Sequence, residues 1–427
     1  MNEKILIPSI FGEEIGVLLE GRNGVSFQYS SSFNAEKYPI SPLRLPYDIN
    51  RVFNYYDSMP FDGLPGIFAD SLPDSFGNIA MREYFRRKYR KTQVKLSVLE
   101  KLAYIGSNGI GAIEYTPADN HNTYDVSMDL QRYADETRHL VEGNAEDVLN
   151  ELLAHPSPGG ARPKASVLWQ QKDNSICMGE KPKEGYEPWI VKFDEEGREE
   201  TKLEFVYMSM AKEVGIAVPE FKHIAIADEI HFASKRFDRI DDMHTKLHQA
   251  TLAALIHGDF MRQNACTYEE YLRISEGLTK SPSATKEAFR RMVFNVIGKN
   301  CDDHIKNFSF LMDKKGEWRL SPAYDLLYSF GPVTYGEHKM SINGKNANIT
   351  LDDLAQCGYS AGLEKRFMKE TIDHISDSFS QVDSRLQKGG LSATLTQEIV
   401  REVKPIQTNN FPNEKRGVKR GQGKKGR

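Results

Sequence analysis

The chain is poor in cysteine. Four occur in 427 residues, and Cys177, Cys266, Cys301 and Cys357 form no CxxC and no metal-ligand spacing. That excludes a disulfide scaffold and suits a reducing cytoplasm. Long apolar runs are missing, so no membrane span is expected, and Met-Asn-Glu-Lys-Ile-Leu-Ile-Pro at the start does not read as a signal peptide. There is no Walker A Gly-Lys-Ser/Thr and no internal repeat. Overall charge of one sign is lacking too. The 56 Lys and Arg against 60 Asp and Glu leave −4, too balanced to argue for nucleic acid. Hydrophobic residues, at 39%, and aromatics, at 10%, are not lacking, so the chain can build a core and is not disordered.

The charge is uneven. From Pro405 to Arg427 seven residues are basic and one acidic, net +6, so the remainder carries −10 (−4 minus +6). Residues 405–427 read as a solvated, disordered tail, with direct DNA contact as the alternative.

One stretch stands out, Asp302-Asp303-His304-Ile305-Lys306-Asn307. Its Asp-x-x-x-x-Asn spacing is that of a phosphoryl-transfer loop, where Asp302 orients the attacking hydroxyl and Asn307 holds a magnesium ion. Polar loops produce this spacing by chance, so its surroundings matter. Residues 308–311 read as a strand, 313–316 as a turn and 318–320 as a returning strand. That hairpin delivers Asp325, which can reach the same metal as the Asp of a kinase DFG segment does.

Upstream, Ser157-Pro-Gly159-Gly160-Ala161-Arg162-Pro163-Lys164 combines two glycines with two cations. Such a loop turns backbone N–H groups toward an anion, or is a plain surface turn. Lys192, read as mid-strand in 189–194, either snorkels from a sheet edge or grips ATP phosphates. Glu204, on the helix that follows, is the acid that steadies it, or a solvated surface residue.

A competing loop, His257-Gly258-Asp259 to Asn264, has the same spacing. It lies at the end of a run read as helical, 248–256, no hairpin follows, and no Asp appears before Asp302 to serve as a second metal ligand. Asp259 is therefore read as structural. Gly106 to Gly111 precedes a strand and opens no helix, so it is a tight turn and not a dinucleotide site.

Residues 1–118 read as a β-rich subdomain, 120–125 as a linker and 126–240 as a mixed unit with a helix at 145–154. Residues 245–404 read as helical. A β-rich half followed by a helical half is the order of a two-lobed kinase.

These segments resemble the HipA family of bacterial serine/threonine kinases, the toxin halves of type II toxin–antitoxin pairs. The resemblance runs through Leu64 to Asp74, Gly159 to Lys164, Lys235-Arg236-Phe237-Asp238-Arg239, Asp302 to Asn307, Pro322 to Leu326 and Met340 to Lys345. It implies an α+β, two-lobed protein-kinase-like fold with an N-terminal β-rich subdomain and an all-helical C-lobe. It implies Asp302 as catalytic base, Asn307 and Asp325 as magnesium ligands, and Lys192 as the ATP lysine. Lys235, Arg236 and Phe237 become the adenine hinge, and Gly159, Gly160, Ala161, Arg162, Pro163 and Lys164 the phosphate loop. His304 and Lys306 join the ATP-binding set, and Ser157 falls where the family is autophosphorylated. The implied cofactors are ATP and Mg²⁺. The implied partners are a small helix-turn-helix antitoxin of HipB type, operator DNA through that antitoxin, and a protein substrate of the aminoacyl-tRNA synthetase kind, with no membrane. The tail is longer and more basic than the family pattern. A small-molecule phosphotransferase and a catalytically silent co-repressor are the rival readings.

Overall fold

The computed structural model describes residues 4–55, 61–91, 93–119, 126–128, 130–141, 153, 162–172, 175–178, 183–194, 198–226, 229–241, 244–331 and 334–415. The expected linker 120–125, the helix 145–154 apart from Leu153, and Ser157, Gly159, Gly160 and Ala161 lie outside them. The chain divides into two compact units, one of 1–201, 219–257 and 309–317, the other of 202–218, 258–308 and 318–427. The segments 1–118 and 126–240 thus fall in a single unit except for 202–218, which belongs to the other.

The first unit is built on two antiparallel sheets. In Lys4–Ile10 the residues Leu6, Pro8 and Ile10 are buried while their neighbours are not, the period-2 pattern of a half-buried strand. It pairs Leu6 with Leu18 of Gly16–Gly21 and Ile10 with Ile113 of Ile113–Thr116. Gly24–Tyr29 and Phe53–Asn54 extend the sheet. The second sheet runs Phe221–Ile226, Glu229–Lys235, Glu187–Lys192, Lys164–Gln170, Ser175–Met178, Val126–Met128. Val167, Trp169, Trp189 and Val191 form its buried face, packed with Phe76 and Tyr133.

The Leu64-to-Asp74 motif has a packing reason within this unit. A Cβ on Gly66 would come 2.7 Å from Ala254 O, so glycine lets the two backbones close on each other. Asp70 accepts from Thr251 N at 2.7 Å and Thr251 Oγ1 at 2.8 Å. His248–Thr251 corrects the expected helix at 248–256. These residues alternate buried and half-buried and pair with Ser309–Met312, and helix begins only at Leu252.

The second unit is mainly helical, with Tyr268–Thr279, Pro282–Ile297, Leu351–Ser360 and Lys365–Ser380 as its main elements. Thr267 with Glu270 and Thr350 with Asp353 close capping boxes at two of their starts. Phe289, Met292, Phe294, Ile372 and Phe379 are buried at helical spacing. Tyr207, Phe294 and Phe379 meet edge-on or tilted, with centroids 5.0 to 6.1 Å apart. No helix among the described residues is long and apolar enough to cross a membrane.

The start of the basic tail corrects the expectation of disorder. Ser376 Oγ donates to Ile406 O at 2.9 Å and accepts from Ile406 N at 3.1 Å. Thr408 bonds Asp373, Tyr359 Oη donates to Pro412 O at 3.0 Å, and Phe411 is 9% exposed. One buried aromatic and satisfied backbone groups hold 405–415 as a strap, although no hydrophobic periodicity marks it. Residues 416–427 lie outside the described set.

Candidate active site

Asp302 to Asn307 follows the helix Pro282–Ile297 in the chain, with Ile305–Asn307 forming a single 3₁₀ turn between the extended residues His304 and Phe308. Asn307 Nδ2 donates to Asp302 O at 2.9 Å, and Asn307 N to His304 O at 2.9 Å. The Asp-to-Asn spacing is therefore what closes the loop on itself. Asp302 N donates to Ser329 Oγ at 2.8 Å. The Asp302 side chain is 51% exposed. Protein packed against its other side still removes water from it and raises its carboxyl, with Asp325 and Asp303 adding repulsion against the pull of His304 and Lys339. A carboxylate poised upward in this way suits a proton acceptor.

Ser309–Met312 and Trp318–Leu320 are strands, as expected, and Gly316 N donates to Asp313 O in the turn between them. Asp325 follows with φ 52°, a left-handed conformation that costs a non-glycine residue energy and recurs at functional sites. Asp325 and Asn307 line one cleft, together with Asn295, Asn300 and Arg291. Asn307 contributes an amide oxygen and Asp325 a carboxylate, hard donors that fit magnesium, which takes few protein ligands and keeps water or phosphate oxygens for the rest. No cluster of three or more His, Cys, Asp or Glu able to hold a metal occurs among the described residues.

His304 Nε2 is 3.9 Å from Asp302 Oδ1, close enough to influence its charge and too far for a hydrogen bond. Lys306 Nζ lies 4.8 Å from the centre of the Phe260 ring. Glu204 is 2% exposed, which removes the solvated-surface reading.

The remaining described candidates belong to the first unit. Lys192 ends its strand, where the sequence reads it mid-strand, and stands directly opposite both Lys164 and Phe232 in the ladder. Two lysines thus share one face of the sheet, and Lys192 Nζ is 5.7 Å from the Phe232 ring centre. Pro163 O accepts from Phe193 N at 3.1 Å. Arg162 lies 3.4 Å from Glu200. Lys235 bonds Glu187, and Phe237 is half-buried. The Arg236 side chain is engaged within the fold, which leaves the backbone as its part of the expected hinge. Its guanidinium is 1% exposed and binds both Asp238 oxygens at 2.8 to 2.9 Å, Ser166 Oγ at 2.9 Å and Gly109 O at 3.1 Å. Arg239 joins the same clamp through Asp238 and Gly111 O. Burial alone would raise the Asp238 carboxyl, but the two guanidiniums outweigh it and hold it well below the usual range. The glycine-rich turn at 106–111 is therefore a docking point for two arginines.

In the second unit Asp303, Tyr268, Asn295, Asn300, Ser329 and His338 surround the 302–307 loop, and the sequence assigns none of them a role. Asp303 lies inside the loop motif, and Tyr268 opens the Tyr268–Leu272 segment, which also resembles the family pattern. The Met340-to-Lys345 motif is also structural, with Asn343 and Lys345 both binding Asp353 at 2.9 Å.

Residues 9–116 match the HipA N-terminal domain, and residues 156–382 match the HipA-like C-terminal domain. Over 211 residues the chain is 28% identical to "Putative kinase Y4dM" of Sinorhizobium fredii, covering 45% of this chain and 51% of that one. It is 27% identical over 219 residues to a "Putative kinase" of Haemophilus influenzae, covering 48% of this chain and 61% of that one. The chain thus spans about half to three-fifths of these curated relatives. Its backbone is similar to that in the Shewanella oneidensis MR-1 toxin–antitoxin complex of HipA, HipB and operator DNA. The TM-score is 0.63 at 17% identity, over 93% of this chain and 94% of that one. This likeness shows the fold, a mixed α and β architecture with a β-rich N-terminal region and a helical C-terminal part.

Proposed function

Because the chain belongs to the HipA family, we propose that it is an ATP- and magnesium-dependent serine/threonine protein kinase, the toxin half of a toxin–antitoxin pair. The observation that carries this reading is a small cleft lined by Asn307 and a left-handed Asp325, next to an Asp302 carboxyl raised by burial and in part by the Asp325 charge. Asp302 accepts the acceptor hydroxyl's proton as its oxygen bonds the γ-phosphorus and the bond to the β-phosphate breaks, with ADP as leaving group. Asn307 and Asp325 would hold magnesium, which when bound offsets charge on the triphosphate. Lys192 and Lys164 supply positive charge to the phosphates, and the hinge backbone at 235–237 receives the adenine. Little covalent chemistry falls to the protein, so positioning and electrostatics do most of the work.

A short helix-turn-helix antitoxin of HipB type is the proposed partner, and operator DNA is reached through it. The structural relative, a HipA in complex with HipB and operator DNA, supports this assignment. Self-phosphorylation at Ser157, which lies outside the described residues, would place about −1.5 to −2 charges at the phosphate loop and act as an off switch. The protein substrate is placed in the translation machinery on the family resemblance alone. Incubation with γ-labelled ATP and magnesium tests the whole reading. Label on protein, lost in Asp302→Asn, supports it. Label appearing only on small molecules would favour the rival phosphotransferase.

A further inference from the structure

The catalytic loop is braced from beneath by a closed circuit of hydrogen bonds. Asp303 carries no solvent-exposed side-chain surface, and its two oxygens are fully engaged. Oδ1 accepts from Lys339 N at 2.7 Å, and Oδ2 accepts from Tyr268 Oη at 2.7 Å and from His338 Nδ1 at 2.8 Å. Tyr268 Oη in turn accepts from Asn295 Nδ2 at 3.0 Å. Asn295 Oδ1 accepts from Asn300 Nδ2 at 3.1 Å, and Asn300 Oδ1 accepts from Ser329 Oγ at 3.1 Å. Ser329 Oγ accepts from Asp302 N at 2.8 Å, and Asp302 is bonded covalently to Asp303, so the ring closes. Asn300 Nδ2 also lies 3.4 Å from Asp325 O, the carbonyl of the second acid. Tyr268, Asn295, Asn300, Asp303 and His338 are each 3% exposed or less.

Such a network is costly to build. Each of these groups gives up water on burial, and a half-satisfied buried network is worse than an apolar core. A hydrophobic filling would stabilise the fold as well or better. The network does something that a hydrophobic filling cannot. It fixes two peptide segments, 302–303 and 325, through directional bonds to common partners. Those two segments carry the proposed base and one proposed metal ligand.

We propose that Tyr268 and His338 are positioning residues for phosphoryl transfer, setting Asp302 relative to Asp325 through Asp303 and the Asn295–Asn300–Ser329 chain. This rests on the kinase reading of the site. Neither side chain needs to touch nucleotide or acceptor. Tyr268 remains a phenol donor, because burial and the Asp303 charge both hold its proton on. His338 Nδ1 donates from the other side. Removing either donor lets the Asp303 end of the loop drift, and misplacement on the order of 1 Å can cost about a hundredfold in rate.

The test uses the full chain with Mg-ATP, measuring consumption of γ-phosphate, whether to protein or to water, per mole of nucleotide-binding sites. Tyr268→Phe keeps the ring and deletes one oxygen. His338→Leu deletes the donor, and His338→Asn returns an N–H near the position of Nδ1. The expected result is a kcat lower by roughly tenfold to a hundredfold in Tyr268→Phe and His338→Leu. The ATP KM should stay within about threefold of the parent value, and His338→Asn should recover most of the rate. In an Asp302→Asn background Tyr268→Phe should add almost nothing, because its effect runs through Asp302. A kcat within twofold of the parent in Tyr268→Phe, with Asp302→Asn inactive, overturns the proposal and leaves the site assignment standing. A loss in Tyr268→Phe that multiplies fully with the loss in Asp302→Asn would likewise refute it, since that marks general softening of the fold. Transfer surviving in Asp302→Asn itself would refute the underlying site assignment instead.

Discussion

Two loops of the helical unit carry the same Asp-x-x-x-x-Asn spacing, Asp259–Asn264 and Asp302–Asn307, and they use it in opposite ways. Asp259 turns back on its own loop, accepting from Met261 N at 3.0 Å and lying 3.2 Å from Arg262. Asn264 spends both ends of its amide on Asn346, at 2.8 and 3.1 Å. In the other loop Asn307 commits only its amide nitrogen, to Asp302 O, and its oxygen has no hydrogen bond among the described residues. Asp302 has its backbone held from behind, its carboxyl raised, and a second acid close enough to add to that rise. Spacing therefore builds a turn in both places, and what makes a site is the second carboxylate and the buried scaffold beneath it. His257, just before the first loop, looks catalytic beside Gly258-Asp259. Instead its Nδ1 accepts from Gly66 N at 3.1 Å, between the Tyr55 and Phe61 rings, and burial followed by Arg44 lowers its basicity.

The contrast is most easily broken at the two acids. Asp302→Asn should cut phosphoryl transfer by roughly 10²- to 10⁴-fold, whereas Asp259→Asn should stay within about twofold of the parent. Label transfer from γ-labelled ATP reads both, and the reverse order would move the site. The amides come next. Asn307→Ala should raise the magnesium concentration for half-maximal rate about tenfold or more, and Asn264→Ala should not. Lys192→Ala probes the nucleotide end, with Mg-ATP affinity falling by roughly tenfold or more in calorimetry through loss of a charge-assisted contact.

A pH series sharpens what lies beneath the second loop. Burial would lower the His338 imidazole, but Asp303 outweighs it and pushes it up to about 10. A raised value contributes stability that is complete below the ordinary imidazole value near 6.5 and is lost as pH rises through about 10. The melting temperature should therefore fall between pH 7 and 10, and in His338→Asn that slope should flatten. An unchanged slope would show that His338 is not charged in the fold.

Much of this was legible in the sequence, and for identifiable reasons. Asp302, Asn307 and Asp325 could be found because a loop and a hairpin fix their spacing locally. Lys192 stood out because a cation in a β-branched run is conspicuous, and in the fold it faces Lys164 across the ladder. The brace was not legible, since Tyr268, Asn295, Ser329 and His338 come from four separate segments and meet only through tertiary packing. Arg236 looked like a ligand contact because sequence does not show that Asp238 and Gly109 consume its guanidinium. Residues 405–415 looked disordered because a strap held by one aromatic and its backbone bonds has no period. That packing changes the expected effect of truncation. Ending the chain at residue 404 should lower the melting temperature by roughly 5 °C, from loss of the Phe411 burial, while ending it at 415 should cost less than about 1 °C.

The central claim is that the metal-dependent site lies at Asp302, Asn307 and Asp325 and not at Asp259 and Asn264. Manganese binding in the presence of ATP, followed by water-proton relaxation on purified Asp325→Asn and Asp259→Asn proteins, tests it most directly. The account predicts that Asp325→Asn binds manganese at least about tenfold more weakly than the parent and that Asp259→Asn binds it equally well. Full manganese binding in Asp325→Asn, or its loss in Asp259→Asn, would contradict the assignment.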